Sequence, residues 1–234
     1  MKFRTKISET KDGKHAIRGY DVLELMAKHS FAEVLFLLWR GVLPEEREAK
    51  LLETVLVAAT ENGIESPSVF VPRISSSTGN PMHVALAAGV LSIGERHGGA
   101  AEKCAFLLQS GKSARDIVEG NKIVPGFGHK VYKDEDPRAV LIHKKARELG
   151  FSCRHFELAY EVERELKEKK GKKLPLNIDG AMAAAMLELG LDWRYGKALF
   201  LIPRMAGAAA HVLEEQEQDN SYHRLEEGDV DHEG

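Results

Sequence analysis

Almost every apolar run in this chain is spaced for a helix and bounded by helix start and stop signals, so a mainly α fold is what it can build. Asp21 with Glu24, and Ser30 with Glu33, each stand at capping-box spacing ahead of an apolar-periodic segment, and the second segment stops at Gly41 before Pro44. Further helices are expected from Glu45 to about Thr60, Asn80-Pro81 to Ile93, Ala100 to Leu108, and after a Ser113-x-x-Asp116 cap. Others are expected from Pro137 to Leu149, Phe156 to Lys169, Gly180 to Leu189 and Tyr195 to Gln216, the last kinked at Pro203. Strand signal amounts to little more than Ser68 to Val71. The 234 residues suffice for a real core and read as a single domain over 1–234, with a smaller subdomain around 110–195. An acidic tail over 214–234 is poor in core residues, and is either loosely ordered or ordered by a partner.

Several function classes fall away on charge and composition. A formal net charge of -3 lacks the basic surplus of a nucleic-acid binder. Apolar stretches such as Val34 to Trp39 and Val84 to Ile93 are far shorter than a bilayer span. Cys104 and Cys153 are too few for a disulfide framework, and MKFRTKISETKDGK has no apolar signal core, so a reducing cytoplasm is the default expectation. The ten histidines contain no His-Glu-x-x-His pair and no Cys/His ligand spacing, and no metal is expected.

Chemistry concentrates at helix boundaries. Residues 124 to 138 place His129 between two glycines and an arginine. Gly126 and Gly128 permit sharp bends and close approach to a ligand. Asp136-Pro137 reads as the cap and first position of a helix, which sets Arg138 at a helix N-terminus, a favourable place for anions. His97, in Gly-Glu-Arg-His-Gly-Gly, reads as a surface or cap histidine beside a glycine turn, or as a neutral hydrogen-bond donor whose protonation a helix N-terminus disfavours. Asp179, in Leu-Asn-Ile-Asp-Gly-Ala, reads as the N-cap of the small-residue helix after it, or as a working carboxylate. Arg204 lies in an apolar helix, where it either snorkels to solvent or meets an anionic partner such as a ligand carboxylate.

These segments together resemble the citrate synthase superfamily over most of the chain. The stretch from Ile17 to Pro44 looks like the family's N-terminal segment. Ser75-Ser-Ser-Thr78 followed by Gly-Glu-Arg-His97-Gly-Gly looks like its first catalytic-histidine region. Pro125-Gly-Phe-Gly-His129 with Asp136-Pro-Arg138 resembles its signature, Leu176-Asn-Ile-Asp179-Gly its catalytic-aspartate loop, and Ile202-Pro-Arg204 a helix with a substrate-binding arginine.

The resemblance implies a shortened citrate synthase-like helical fold and a set of roles. Asp179 would exchange a proton with the methyl carbon of acetyl-CoA, His97 would stabilise the enol or enolate, and His129 would exchange a proton with the oxygen of the four-carbon partner. A carbon acid yields to a carboxylate only where the developing oxyanion is stabilised. Arg138 and Arg204 would hold substrate carboxylates, and Arg224 stands where the family supplies an arginine from a neighbouring subunit. The backbone of Val124, Pro125, Gly126, Phe127 and Gly128 would approach the adenine of coenzyme A, with Lys130 or Lys133 near its phosphates.

Two departures bear on the reaction. A large block of helices found in full-length citrate synthases has no counterpart between Thr60 and the Ser-rich segment, and Glu61-Asn62-Gly63 stands where the family often has a histidine. Asn62 can donate a hydrogen bond but cannot relay a proton. The short form resembles citryl-CoA lyases, including the C-terminal module of ATP-citrate lyases. The leading expectation is therefore a citryl-CoA lyase that forms acetyl-CoA and oxaloacetate. A citrate or 2-methylcitrate synthase is the alternative, and a non-catalytic CoA- or carboxylate-binding paralogue is the reading from another class. A homodimer or higher homo-oligomer is expected, with a separate citryl-CoA synthetase as a partner if the chain is the second half of a two-step citrate cleavage.

Overall fold

The structure, a computed structural model, describes residues 2–218 and 221–233. It opens on a small antiparallel sheet of order β1-β2-β3, formed by β1 (Ser8–Lys11), β2 (Lys14–Ile17) and β3 (Tyr20–Asp21). Helices α1 (Val22–Lys28), α2 (Phe31–Arg40), α3 (Glu46–Ala59), α4 (Pro67–Ser77), α5 (Met82–Leu91) and α6 (Ala100–Leu108) follow. The remaining helices are α7 (Ala114–Glu119), α8 (Pro137–Glu148), α9 (Arg154–Lys170), α10 (Ile178–Glu188) and α11 (Gly196–Gln218), so the fold is mainly α as expected.

Strand placement departs from the sequence reading. Ser68 to Val71 is helical, because Pro67 occupies the first turn of α4 and the segment packs along α5, where burial outweighs the β-propensity of Val69-Phe70-Val71. The strands instead flank Asp12-Gly13, whose φ values of 51° and 73° suit a two-residue type I′ hairpin turn. Capping boxes form at Ser30/Glu33 and Ser113/Asp116, and Asp136 caps α8 with Pro137 in its first turn. α11 continues through Pro203 as one helix.

The chain divides into two compact units, the first made of residues up to Leu56 with Ala101–Gly196, the second of Val57–Ala100 with the residues from Lys197 onward. In the first, α10 packs against α8 and α9, and every residue from Gly180 to Leu187 is buried. A helix of small and apolar residues without a polar face is stable only when enclosed. Its C-terminal end is tied down by Glu188, whose carboxylate accepts from Ser152 Oγ (2.8 Å) and from the backbone amide and Nδ1 of His155 (2.9 and 2.8 Å). These hydrogen bonds outweigh burial and hold the Glu188 carboxyl at about 2.

In the second unit α4 lies along α5, and Gly89 makes that approach possible, because a Cβ there would fall 2.6 Å from Pro72 Cγ. Gly207 of α11 likewise faces the Thr60 carbonyl, where a Cβ would come within 2.3 Å of the oxygen. The tail is anchored in this unit, with His223 N donating to Ser77 Oγ (3.1 Å) and His223 Nε2 meeting the buried Glu215 (2.8 Å). No helix among the described residues is long and apolar enough to cross a membrane.

Candidate active site

Within the first unit, His129, Arg138 and Asp179 are held by one set of contacts. The segment around Phe127 pairs with Leu176, Gly128 N donates to Pro175 O (2.7 Å), and Asn177 N donates to Gly126 O (3.0 Å). Gly126 and Gly128 both have positive φ, 88° and 84°, so the glycine requirement read from sequence is met. The close approach they permit is to the chain itself, since a Cβ on Gly126 would lie 2.8 Å from both Cys104 Sγ and Gly180 Cα. Gly126→Ala is therefore expected to cost about 2 kcal/mol or more, combining left-handed strain with overpacking. A urea midpoint equal to that of the parent protein would contradict this.

Asp136 connects this loop to both helices. Its carboxylate is fully buried, and it accepts from Arg138 N and Nε (both 3.0 Å), Arg138 Nη2 (2.8 Å) and Ile178 N (3.1 Å). One side chain thus caps α8, orients the guanidinium and grips the start of α10. The guanidinium holds the Asp136 carboxyl below its usual range against the effect of burial, and Asp136 raises Arg138 in turn, with Asp179 adding to the rise. The N-cap of α10 is Asn177, whose Oδ1 accepts from Gly180 N (3.2 Å), not Asp179. Asp179 sits in the first turn, so the capping alternative read from sequence is taken up two residues earlier.

His129 is short of acceptors. Nδ1 lies 3.1 Å from the amides of both Val131 and Tyr132, and Nε2 lies 3.3 Å from Arg138 Nη2. A neutral imidazole offers one acceptor nitrogen. Two amides against one longer contact make Nδ1 that acceptor, which leaves the proton on Nε2 beside another donor. An oxygen within reach of both could accept from Nε2 and from Nη2, which also donates to Asp136 Oδ2, so the pair suits a carbonyl, hydroxyl or carboxylate oxygen. Burial lowers the pKa of His129, Arg138 and Lys133 lower it further, and Asp136 opposes them. Lys133 Nζ donates to the carbonyls of Lys130 (2.8 Å) and His129 (3.2 Å), and both lysine side chains are exposed.

Within the second unit, His97 and Arg204 meet through Ser68, a residue the sequence reading passed over. His97 is fixed by a tight turn, with Gly94 N donating to His97 O (2.8 Å), and its ring stands edge-on to Phe200 at 5.5 Å. Nε2 accepts from Ser68 N (3.2 Å) and lies 2.9 Å from Ser68 Oγ. The helix N-terminus that meets the ring is therefore that of α4, and an otherwise orphaned amide is satisfied by imidazole. With Nε2 accepting, the proton resides on Nδ1, so the ring is a neutral donor. Burial and the nearby Arg204 charge depress its pKa accordingly.

Arg204 does not snorkel. It is 3% exposed, donates to Ala59 O (3.0 Å) and Ser68 Oγ (3.1 Å), and lies 4.6 Å from the centre of the Phe200 ring. Arg224 is exposed in the tail segment that His223 anchors. Among the described residues no group of three or more His, Cys, Asp or Glu side chains is placed to hold a metal ion.

Comparison with known proteins bears on this geometry. A family model described as "Citrate synthase, C-terminal domain" matches residues 2–50 and 44–226. The citrate synthase of Haloferax volcanii is 29% identical over 215 residues, which cover 86% of this chain and 56% of that protein. The chain spans about half the length of the curated relatives it matches. Among solved structures, citryl-CoA lyase from Hydrogenobacter thermophilus is 41% identical with a TM-score of 0.93, covering 99% of this chain and 94% of that one. Citrate synthase from Thermoplasma acidophilum, solved as a ternary complex with carboxymethyl coenzyme A and oxaloacetate, is 25% identical with a TM-score of 0.72, covering 88% of this chain and 58% of that one.

Proposed function

The chain belongs to the citrate synthase family, and from that premise we propose that it is a citryl-CoA lyase, cleaving citryl-CoA to acetyl-CoA and oxaloacetate. The observation that carries this reading is the end-to-end match, at 41% identity, to a citryl-CoA lyase of nearly the same extent. In cleavage His129 takes the hydroxyl proton as the carbon-carbon bond breaks, from the tautomer that leaves Nε2 open. His97 donates from Nδ1 to the oxygen of the departing enolate, and Asp179 protonates its terminal carbon. Arg138 and Arg204 hold substrate carboxylates, with Asp136 orienting the Arg138 guanidinium through Nε and Nη2. Arg224 serves the partner subunit. Coenzyme A lies with its adenine along Val124 to Gly128 and its phosphates by Lys130 or Lys133.

Ser68→Ala tests the second-unit geometry. The substitution keeps the backbone N–H on His97 Nε2 and removes the hydroxyl that Arg204 contacts. Turnover is expected to fall by roughly tenfold, the worth of about one hydrogen bond. Unchanged steady-state rates would count against the Ser68 link.

A second reading has its own observation. With Nδ1 bound to two amides, resting His129 holds its proton on Nε2, the form that donates to oxaloacetate in a condensation. A citrate synthase would start from that form. The two readings separate when the protein is given citryl-CoA, and separately acetyl-CoA with oxaloacetate, while free thiol and oxaloacetate are followed. Oxaloacetate from citryl-CoA without free coenzyme A supports the lyase. Rapid free coenzyme A from the second mixture makes it a synthase, and no turnover in either refutes both.

The working form is proposed to be a homodimer or higher homo-oligomer in a reducing cytoplasm, where the two buried free thiols stay reduced. α5 is apolar on every side except at His83, yet only Ala85 and Gly89 are buried, and Leu91 is 85% exposed. Phe70 and Ile74 of α4 are exposed as well. A helix of this kind belongs in an interior, and a second copy would supply it. Light scattering should report a mass of at least two chains; a fully active monomer would overturn the proposal.

A further inference from the structure

Tyr132 touches both groups that frame the acceptor-poor gap in the first unit. Its ring stacks on the His129 imidazole, centroids 4.8 Å apart and planes 29° from parallel. The same ring lies 5.7 Å from the Arg138 guanidinium carbon, within range of a cation–π contact. Its backbone amide is one of the two donors on His129 Nδ1.

The physical need for such a residue follows from the pair it serves. His129 Nε2 and Arg138 Nη2 sit 3.3 Å apart, and with a proton on Nε2 both can donate to one substrate oxygen beside them. Asp136 holds the guanidinium from its Nε side. The two amides on Nδ1 hold one edge of the imidazole, and the negative face of an aromatic ring can pack on its plane while drawing a guanidinium, without neutralising the charge that substrate needs. A carboxylate in its place would neutralise that charge, and an aliphatic side chain would not attract it.

We propose that the Tyr132 ring is a positioning residue that keeps His129 and Arg138 aimed at one substrate oxygen. The kinetic part of this inference rests on the citryl-CoA reading above; the structural part does not. Phe, Leu and His at 132 all supply the backbone amide, so these substitutions isolate the ring.

The test uses Tyr132→Phe and Tyr132→Leu in the full chain, with two readouts. The first is the pair of His129 ring nitrogen signals in 15N NMR, identified by their loss in His129→Gln. The second is kcat and KM for citryl-CoA. Phe should leave both readouts at parent values. Leu should shift the ring signals, lower kcat by roughly tenfold and raise KM several-fold, the loss expected for one aromatic pair and one cation–π contact. Should Leu impair folding, Tyr132→His, which restores a planar ring, should recover the parent signals. Parent-like ring signals in a folded Leu variant overturn the proposal, as does a Phe variant as impaired as Leu. Should the parent protein not act on citryl-CoA, the nitrogen signals still decide the ring's role, and only the functional reading fails.

Discussion

Asp179→Asn is expected to lower turnover of citryl-CoA by about 10²–10⁴-fold, the range for removing one general acid–base group, while binding changes by no more than a few-fold. The substitution is nearly isosteric, and it removes a charge that acts on Arg138 but does not cap the helix. Asn177 caps α10, Asp136 grips Ile178 N, and the helix from Gly180 to Leu187 is enclosed on all sides. The variant should therefore melt close to the parent protein and differ in chemistry alone. Steady-state rates together with calorimetric titration of coenzyme A separate the two effects. A variant with parent turnover would remove Asp179 from the mechanism, and one that loses binding and activity together would make it structural.

Asp136→Ala is the substitution expected to damage stability most. It removes a buried carboxylate that answers three donors of Arg138 and one of Ile178, and leaves a half-buried guanidinium without that partner. Breaking a buried pair from one side costs about 3–5 kcal/mol, which urea denaturation would read as a large drop in midpoint. A midpoint within error of the parent would mean that Asp136 does not connect the two helices as described. The pH dependence has a definite sign. The folded pKa of Asp136 lies below its usual value, so its contribution is fully present above the unfolded pKa of about 3.9 and is lost as pH falls through the folded pKa. Acid unfolding of Asp136→Asn should lack this component.

Much of the site was legible because its local parts are coded locally. The caps at Ser30, Ser113 and Asp136 form as their spacing predicts, since a cap and the amide it serves lie within one turn. Asp12-Gly13 carried a hairpin signal of the same local kind, and the reading overlooked it in favour of the β-branched run at Ser68 to Val71. The sequence offered Asp179 as a cap, and the structure puts the cap two residues earlier at Asn177, where φ is -98° and ψ is -179°.

Ser68 had no local signal at all. It lies 29 residues from His97 and 136 from Arg204, and a serine near a helix start has many ordinary reasons to be there. Tyr132 was equally silent, because stacking on His129 depends on the turn that returns residues 131 and 132 to Nδ1. By itself, then, the sequence determined the mainly helical architecture, the family and the identities of the chemical groups, since periodicity, caps and motif order are written along the chain. Only the tertiary structure decided how those groups are tuned. A tautomer, a buried guanidinium's partners and a depressed imidazole pKa all depend on which donors and acceptors remain once water is excluded, and those neighbours come from distant segments.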